Sequence, residues 1–158
     1  LLLLFGSQIP VNGARIVRFG NGRAIDADAY RVEFVSSADL DGDGNLDLVV
    51  CSYWGDFVRW YKNEDGKGTF SEAADISTDS NGAGRLAVGD LDGDGFLDVV
   101  VARSLDNQIT WFRNLDGDVF SVGGSIDAAG PTDVAVADVD GDGKLDVIFT
   151  SNGGGELT

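Results

Sequence analysis

The chain has 158 residues, 43% of them hydrophobic, which is enough for one folded domain with an ordinary apolar core. Its formal net charge of −16 speaks against nucleic acid or an anionic membrane surface as a partner, because both attract an excess of Lys and Arg. The sequence has no histidine and a single cysteine, Cys51, which excludes an internal disulfide, a cysteine-rich zinc site and the Ser-His or Cys-His pairs of many enzymes.

The first element is an apolar run, Leu1-Leu2-Leu3-Leu4-Phe5. It fits either the end of the apolar region of a signal peptide or a buried strand. No later run approaches the roughly 18 uninterrupted apolar residues of a transmembrane helix, so we predict none in this chain.

An acidic loop follows at residues 39–47, with the sequence DLDGDGNLD, and it places aspartates at loop positions 1, 3, 5 and 9. The loop returns at residues 90–98 as DLDGDGFLD and at residues 138–146 as DVDGDGKLD. The first aspartates, Asp39, Asp90 and Asp138, are 51 and then 48 residues apart. A period of this length predicts a repeat architecture such as a propeller.

The stretches around each loop have the apolar pattern of strands. In the second repeat we predict strands at residues 85–88, 97–102, 108–113 and 119–126, separated by the acidic loop and by turn sequences such as Asp116-Gly117. Four antiparallel strands in about 50 residues is typical of a propeller blade. No stretch has helical periodicity with caps, which disfavours the helix–loop–helix of an EF-hand.

Aromatic and aliphatic landmarks keep the same phase, so the whole unit repeats and not only the loop. Three phenylalanines each stand six residues before an isoleucine, and two tryptophans each stand thirteen residues after the ninth loop position. The phenylalanine–isoleucine pairs are Phe19 with Ile25, Phe70 with Ile76 and Phe120 with Ile126, and the tryptophans are Trp60 and Trp111.

We therefore predict an all-β fold, namely a β-propeller segment of about three four-stranded blades. The tail of a preceding blade is expected at residues 1–30, blades at 31–78 and 79–127, and the first part of a further blade at 128–158. Because propellers have about four to eight blades, we expect a fragment of a larger propeller of about seven blades. Assembly of several copies of the segment into a ring is the alternative.

Each loop is predicted to bind a cation. Four carboxylates in nine residues would repel one another at neutral pH unless a cation lay among them, and all-oxygen ligands select Ca²⁺ above all. Position 7 holds three unrelated side chains, as expected if only its backbone carbonyl is a ligand. Position 12 is never glutamate, so the aspartate at position 9 is expected to supply the carboxylate that an EF-hand takes from position 12.

The predicted ligands of about three structural Ca²⁺ ions therefore come from loop positions 1, 3, 5, 7 and 9. They are Asp39, Asp41, Asp43, Asn45 and Asp47; Asp90, Asp92, Asp94, Phe96 and Asp98; and Asp138, Asp140, Asp142, Lys144 and Asp146. Positions 2 and 8, always Leu or Val, are expected to point into the blade. The alternative, an exposed turn without an ion, does not require acids at positions 1 and 9.

The three loops and the linker WYKNEDGKGTF at residues 60–70 resemble FG-GAP and VCBS-type repeats, the blades of integrin-α-like propellers. The resemblance covers residues 26–158, whereas residues 1–18 lack the expected tryptophan. It implies that the loop joins the first two strands of a blade and binds Ca²⁺ through Asp39, Asp41, Asp43, Asp47 and the Asn45 carbonyl, and likewise in the other loops. It also implies an extracellular or cell-surface protein.

Our leading functional hypothesis is a secreted, non-enzymatic module for adhesion or ligand recognition, with structural Ca²⁺. Its expected partners are a protein or carbohydrate ligand and the remaining blades, without nucleic acid or membrane insertion. The alternative is a carbohydrate-binding or accessory propeller of a secreted polysaccharide-processing enzyme. Trp54, Trp60, Tyr61 and Trp111 could stack on sugars, but aromatic residues on strands are expected to pack between blades, which leaves Trp54 as the open case.

A catalytic propeller is a third functional hypothesis. Outside the acidic loops the sequence singles out no acid, base or nucleophile that would support it.

Overall fold

The structure, a computed structural model, describes residues 2–4, 7–11, 14–18, 23–26, 29–71 and 74–153, with side chains from residue 25 onward. These residues form strands and turns, and none of them forms a helix long and apolar enough to cross a bilayer. The strands are β1 (Leu2–Leu4), β2 (Ser7–Val11), β3 (Ala14–Arg18), β4 (Arg23–Asp26), β5 (Phe34–Ala38), β6 (Asp47–Ser52), β7 (Phe57–Tyr61), β8 (Ala74–Ser77), β9 (Ala83–Gly89), β10 (Asp98–Arg103), β11 (Gln108–Asn114), β12 (Phe120–Asp127), β13 (Pro131–Ala137) and β14 (Asp146–Ser151).

Two four-stranded antiparallel sheets form the centre of the molecule. One has the order β5-β6-β7-β8 and the other the order β9-β10-β11-β12, so each is a simple meander. β13 pairs with β14, β1 with β4, and β2 with β3. The predicted all-β fold is confirmed, as are the four strands of the second repeat, whereas no sheet closes on itself within the described ranges.

The apolar run at the start of the chain is a strand over Leu2–Leu4, and this strand pairs with β4. Leu1, Phe5 and Phe19 lie outside the described residues. The expectation that residues 1–30 form the tail of one preceding blade stays a prediction.

The central strands β6 and β10 are apolar on both faces. In β6, Val49 and Cys51 belong to one buried cluster and Val50 to another. Because neighbouring side chains of a strand point to opposite faces, this division means that both faces of the sheet are covered. The uninterrupted apolar run that follows the second acidic loop, residues 99–101, is therefore fully buried.

Successive repeats stack through their first strands. β9 contacts both β5 and β13, and a single apolar cluster joins the first sheet to the second. Trp60 belongs to this cluster, is only 4% exposed, and meets Phe120 of the second sheet edge-on at 6.2 Å. The packing role expected for Trp60 is therefore confirmed. Each acidic loop joins the first and second strands of its repeat, so the three loops have equivalent places.

Candidate metal centres

Glycines at loop positions 4 and 6 allow each acidic loop to fold back on itself. In the first loop Gly42 and Gly44 have φ of 74° and 89°, a region that L side chains rarely adopt. The equivalent glycines of the other two loops also have positive φ. Nine residues therefore curl tightly enough to bring several carboxylates together.

In the first loop, one oxygen of each leading carboxylate is held by a backbone N–H. Asp39 Oδ2 accepts from Gly44 N at 3.0 Å, Asp41 Oδ1 from Asp43 N at 3.1 Å, and Asp43 Oδ1 from Asn45 N at 2.8 Å. Oxygens of Asp39, Asp41 and Asp43 all lie within 4.8 Å of one another. This spacing is compatible with a shared cation.

The other loops repeat this arrangement. In the second loop, Gly95 N donates to Asp90 Oδ2 at 3.0 Å, and oxygens of Asp90, Asp92 and Asp94 lie within 4.8 Å of one another. In the third loop, Gly143 N donates to Asp138 Oδ2 at 3.0 Å. The oxygens that come together there belong to Asp138, Asp140 and Asp146.

The ninth aspartates of the first two loops have different surroundings from the leading ones. Asp47 is fully buried, and its carboxylate accepts from Leu40 N at 3.1 Å and from Asn63 N at 2.8 Å. Asp98 has the same two bonds, from Leu91 N and Asn114 N. Burial raises the pKa of both carboxyls above the usual value, against the effect of these bonds.

The structure thus brings positions 1, 3 and 5 together in the first two loops and leaves position 9 outside the cluster. In the third loop it brings position 9, Asp146, into the cluster in place of Asp142. Asp146 accepts from Val139 N at 3.0 Å, which matches the contact from loop position 2 in the other loops. Ligation by the ninth aspartates stays a prediction.

Position 7 makes the same backbone contact whatever its side chain. Asn45 N, Phe96 N and Lys144 N each donate to the aspartate two residues earlier, at 2.8, 2.9 and 2.8 Å. This bond lowers the pKa of Asp43 and of Asp94. The role of the position 7 carbonyl as a ligand stays a prediction.

The expectation that positions 2 and 8 always face the interior is wrong in part. Leu40 is fully buried, but Leu46 is 61% exposed and Val139 is 66% exposed. Leu46 contributes through its backbone instead, because its carbonyl accepts from Asn63 Nδ2 at 3.0 Å. A side chain at position 8 therefore need not be covered for the loop to be fixed.

Sequence reasoning missed a basic residue beside each of the first two clusters. Lys62 Nζ forms an ion pair with Asp41 Oδ2 and lies 3.7 Å from Asp43 Oδ2. Arg113 Nε lies 2.5 Å from Asp92 Oδ2, and Arg113 Nη2 lies 3.0 Å from Asp94 Oδ2. The sequence does contain a pattern that marks both residues, because each stands two positions after the tryptophan of its repeat.

A buried asparagine, also missed, ties the second repeat to the first loop. Asn114 Nδ2 donates to Leu40 O at 2.9 Å and to Leu97 O at 3.2 Å, and its Oδ1 accepts from Gly117 N at 2.8 Å. A Cβ added at Gly117 would lie 3.1 Å from Asp41 Cα. The turn after β11 therefore lies directly against the backbone of the first acidic loop.

The donor atoms fit a hard cation. Asp39 Oδ1 is buried without a hydrogen-bond partner, and so is Asp41 Oδ2 apart from its ion pair with Lys62. A buried carboxylate oxygen without a partner is costly, and a cation would offset that cost. The clusters contain only carboxylates, which suits Ca²⁺ or Mg²⁺ and not the softer metals that bind thiolate or imidazole.

Comparison with known families gives one match. A family model described as an FG-GAP-like repeat matches residues 39–101 and again residues 90–149. Both matches begin at the first aspartate of an acidic loop and end in the strand after the next loop. No curated protein matches the sequence.

Proposed function

The chain belongs to the FG-GAP-like repeat proteins, and on this premise we propose that its acidic loops bind Ca²⁺ ions that stabilise a β-propeller module. The observation that carries the proposal is the recurrence of a three-carboxylate cluster within the same loop of each repeat. In the first loop the cluster includes a buried oxygen without a hydrogen bond. Bound Ca²⁺ would neutralise carboxylates that otherwise repel one another.

The arrangement of the sheets supports the propeller. Each complete repeat is a four-stranded antiparallel meander, and successive repeats stack through their first strands with apolar clusters between them. Blades of a propeller are built and packed in this way. A ring of about seven blades would require further repeats beside those described.

Ca²⁺ is preferred over Mg²⁺ because of the form of the loop. Ca²⁺ accepts six to eight oxygen ligands in flexible geometry, whereas Mg²⁺ requires a compact octahedron and loses its waters reluctantly. A glycine-rich loop with carboxylates on a flexible backbone suits the larger ion. Extracellular Ca²⁺ modules bind with Kd of about 10⁻⁴ to 10⁻³ M, and we expect the same range here.

Such weak sites fill only where Ca²⁺ is abundant, which favours a secreted or cell-surface location. We propose that the module is non-enzymatic and serves adhesion or ligand recognition, with a protein or carbohydrate ligand. Its strongly acidic surface, with a formal net charge of −16, disfavours nucleic acid as a partner.

Thermal unfolding in different ions tests the calcium proposal. One site with Kd of about 1 mM gains about 1.4 kcal/mol at about 10 mM Ca²⁺. Three sites would therefore raise Tm by roughly 10 °C over chelator in a chain of this size. Mg²⁺ at the same concentration controls for general charge screening and should give a much smaller shift. Equal shifts in the two ions would contradict a calcium site.

Carbohydrate recognition is a second candidate function, and the exposure of Trp54 favours it. Trp54 is 56% exposed in the turn between β6 and β7. Tyr53 contacts its ring edge-on at 4.9 Å, and the Arg31 guanidinium lies 5.1 Å from the ring centroid. An indole held by such neighbours offers an exposed face on which a sugar ring can stack.

Arg31 distinguishes this repeat from the next. It has a left-handed φ of 46°, whereas the residue 51 positions later is Gly82, with φ of 71°. An arginine in this conformation costs about 1 kcal/mol relative to glycine. The second repeat also has Leu105 in place of Trp54. Of these two repeats, only the first therefore has the Trp–Arg pair.

Tryptophan fluorescence during titration with soluble oligosaccharides tests this second function. Binding at Trp54 should change the emission, and Trp54→Ala should remove the change. Leu105→Ala, at the equivalent turn of the next repeat, is the matched control and should retain it. A response that survives in Trp54→Ala would refute this site.

A further inference from the structure

Each complete repeat places one basic side chain beside its own acidic cluster. Lys62 directly follows β7, and Arg113 lies 51 residues later in β11, so both occupy the same position of the repeat. The first two candidate sites therefore differ in their nearest cation, which is an ammonium group in the first and a guanidinium group in the second.

The basic groups contact the oxygens that the backbone leaves free. Asp41 and Asp43 each use Oδ1 to accept a backbone N–H, and Lys62 faces Oδ2 of both. The second loop has the same division: the Oδ1 atoms of Asp92 and Asp94 accept backbone N–H groups, and Arg113 faces both Oδ2 atoms. These Oδ2 atoms are among the oxygens available to a metal ion.

We propose that Lys62 and Arg113 are internal competitors of the metal, which lower the Ca²⁺ affinity of the first and second loops. This inference rests on the proposed function. An ammonium or guanidinium group and a Ca²⁺ ion cannot both occupy the space beside the same carboxylate oxygens. Each basic side chain must therefore move away before the ion is fully coordinated.

The size of the effect follows from the exposure of the pairs. Side chains of Lys62 and Arg113 are 33% and 41% exposed, and ion pairs that solvent screens in this way are weak. The competition should weaken binding by up to about fivefold without abolishing it. Arg113 contacts two carboxylates with its planar group, so it should compete more strongly than Lys62.

Of the two complete repeats, the first loop should therefore bind Ca²⁺ more tightly than the second. The amides of Gly44, Gly95 and Gly143 report the three loops separately, because each donates to the first aspartate of its own loop. Their NMR shifts during a Ca²⁺ titration of the whole chain give one Kd per loop. The same titration checks that each variant is folded.

The test compares Lys62→Gln and Arg113→Gln with Lys67→Gln. Lys67 lies in the neighbouring turn beside Asp65, so its removal changes the net charge equally without touching an acidic cluster. Lys62→Gln should lower the Kd for Ca²⁺ at the first loop alone by about threefold. Arg113→Gln should lower the Kd at the second loop alone by about fivefold. Lys62→Arg should weaken Ca²⁺ binding at the first loop. This substitution keeps a long basic side chain, so no packing is lost.

Two results would overturn the competition. One is that Lys62→Gln and Arg113→Gln bind Ca²⁺ at their own loops no more tightly than Lys67→Gln does. That result would refute the competition and leave the proposal of calcium binding intact. The other is weaker binding in these variants, which would make the basic residues supports of the bound state. If neither the wild type nor any variant gives a saturable shift with Ca²⁺, the proposed function fails together with this inference.

Discussion

Asp92 and Asp98 lie six residues apart in the second loop, but their surroundings differ. Asp92 is part of the carboxylate cluster and faces Arg113. Asp98 is fully buried and accepts two backbone N–H groups, from Leu91 and Asn114. We therefore propose that Asp92 holds a cation and that Asp98 closes the loop.

Asp92→Ala should therefore lower Tm in Ca²⁺ and leave it nearly unchanged in chelator. Without the ion its removal loses an exposed N–H bond and a partly exposed ion pair with Arg113, but it also relieves repulsion among the carboxylates, so the net cost is small. Thermal unfolding of the variant and the wild type in both conditions measures the difference. An equal penalty with and without Ca²⁺ would mean that Asp92 acts only as a turn residue.

Asp98→Ala should destabilise the protein in both conditions. The substitution leaves two buried N–H donors without a partner, at a cost of about 3 kcal/mol for the pair. Urea unfolding in chelator is the decisive measurement, because no ion contributes there. A stability equal to that of the wild type in chelator would contradict the loop-closing role.

These roles could be predicted from the sequence only in part. The spacing of acids identified the loop and its candidate ligands, because position within a short loop fixes which side chains converge. The second partner of Asp98 is the N–H of Asn114, sixteen residues away on β11, and loop spacing carries no information on that contact.

Among the elements, the turn after β11 couples the second repeat to the first acidic loop. Gly117 has φ of 96° and lies against Asp41, and Asn114 reaches Leu40 in the same loop. The first acidic loop is therefore supported by the second repeat as well as by its own.

Gly117→Ala should destabilise the fold and weaken Ca²⁺ binding at the first loop. The added Cβ meets the loop backbone at 3.1 Å and also imposes the cost of a left-handed conformation, about 1–2 kcal/mol. Gly130→Ala is the control, because Gly130 also has positive φ, 59°, but its Cβ would make only ordinary contacts. Unfolding and the Gly44 amide titration of both variants provide the measurement.

If Gly117→Ala costs no more than Gly130→Ala and leaves the first loop's Kd unchanged, the coupling is refuted. At this scale the sequence predicted the strands well, because apolar periodicity is local. It did not predict the brace between repeats, because Asn114 and Leu40 are 74 residues apart along the chain.

For the whole molecule, the notable feature is an apolar surface beside the third repeat. A cavity of about 310 Å³ lies there, lined by Trp111, Ile109 and Val147 among others. Ile126, which also lines the cavity, is 48% exposed. Trp111 is therefore less completely covered than Trp60, its equivalent in the first repeat.

The 158-residue chain should associate through this surface in a concentration-dependent way, because exposed apolar patches and open strand edges favour contact between copies. Sedimentation velocity over a range of concentrations measures the association. Ile126→Lys, in the lining of the cavity, should reduce it, whereas Lys67→Gln, on a polar turn, should not. A monomer at all concentrations would show that the surface is not adhesive.

The recurrence of the acidic loop and the four strands of the second repeat could be predicted from the sequence, because the period is visible in the acidic loops and the tryptophans. The packing of one repeat against the next could not be predicted from the sequence. The residues that form this contact, such as Val134 and Ile109, do not differ from other apolar strand residues. Their partners are defined only when the sheets stack.

The central claim is that the acidic loops are calcium sites, and isothermal titration calorimetry of the chelator-treated chain with Ca²⁺ tests it most directly. We expect uptake of about three ions with Kd of about 10⁻⁴ to 10⁻³ M, and much weaker uptake of Mg²⁺. A folded chain that takes up no Ca²⁺ at millimolar concentration would contradict the account.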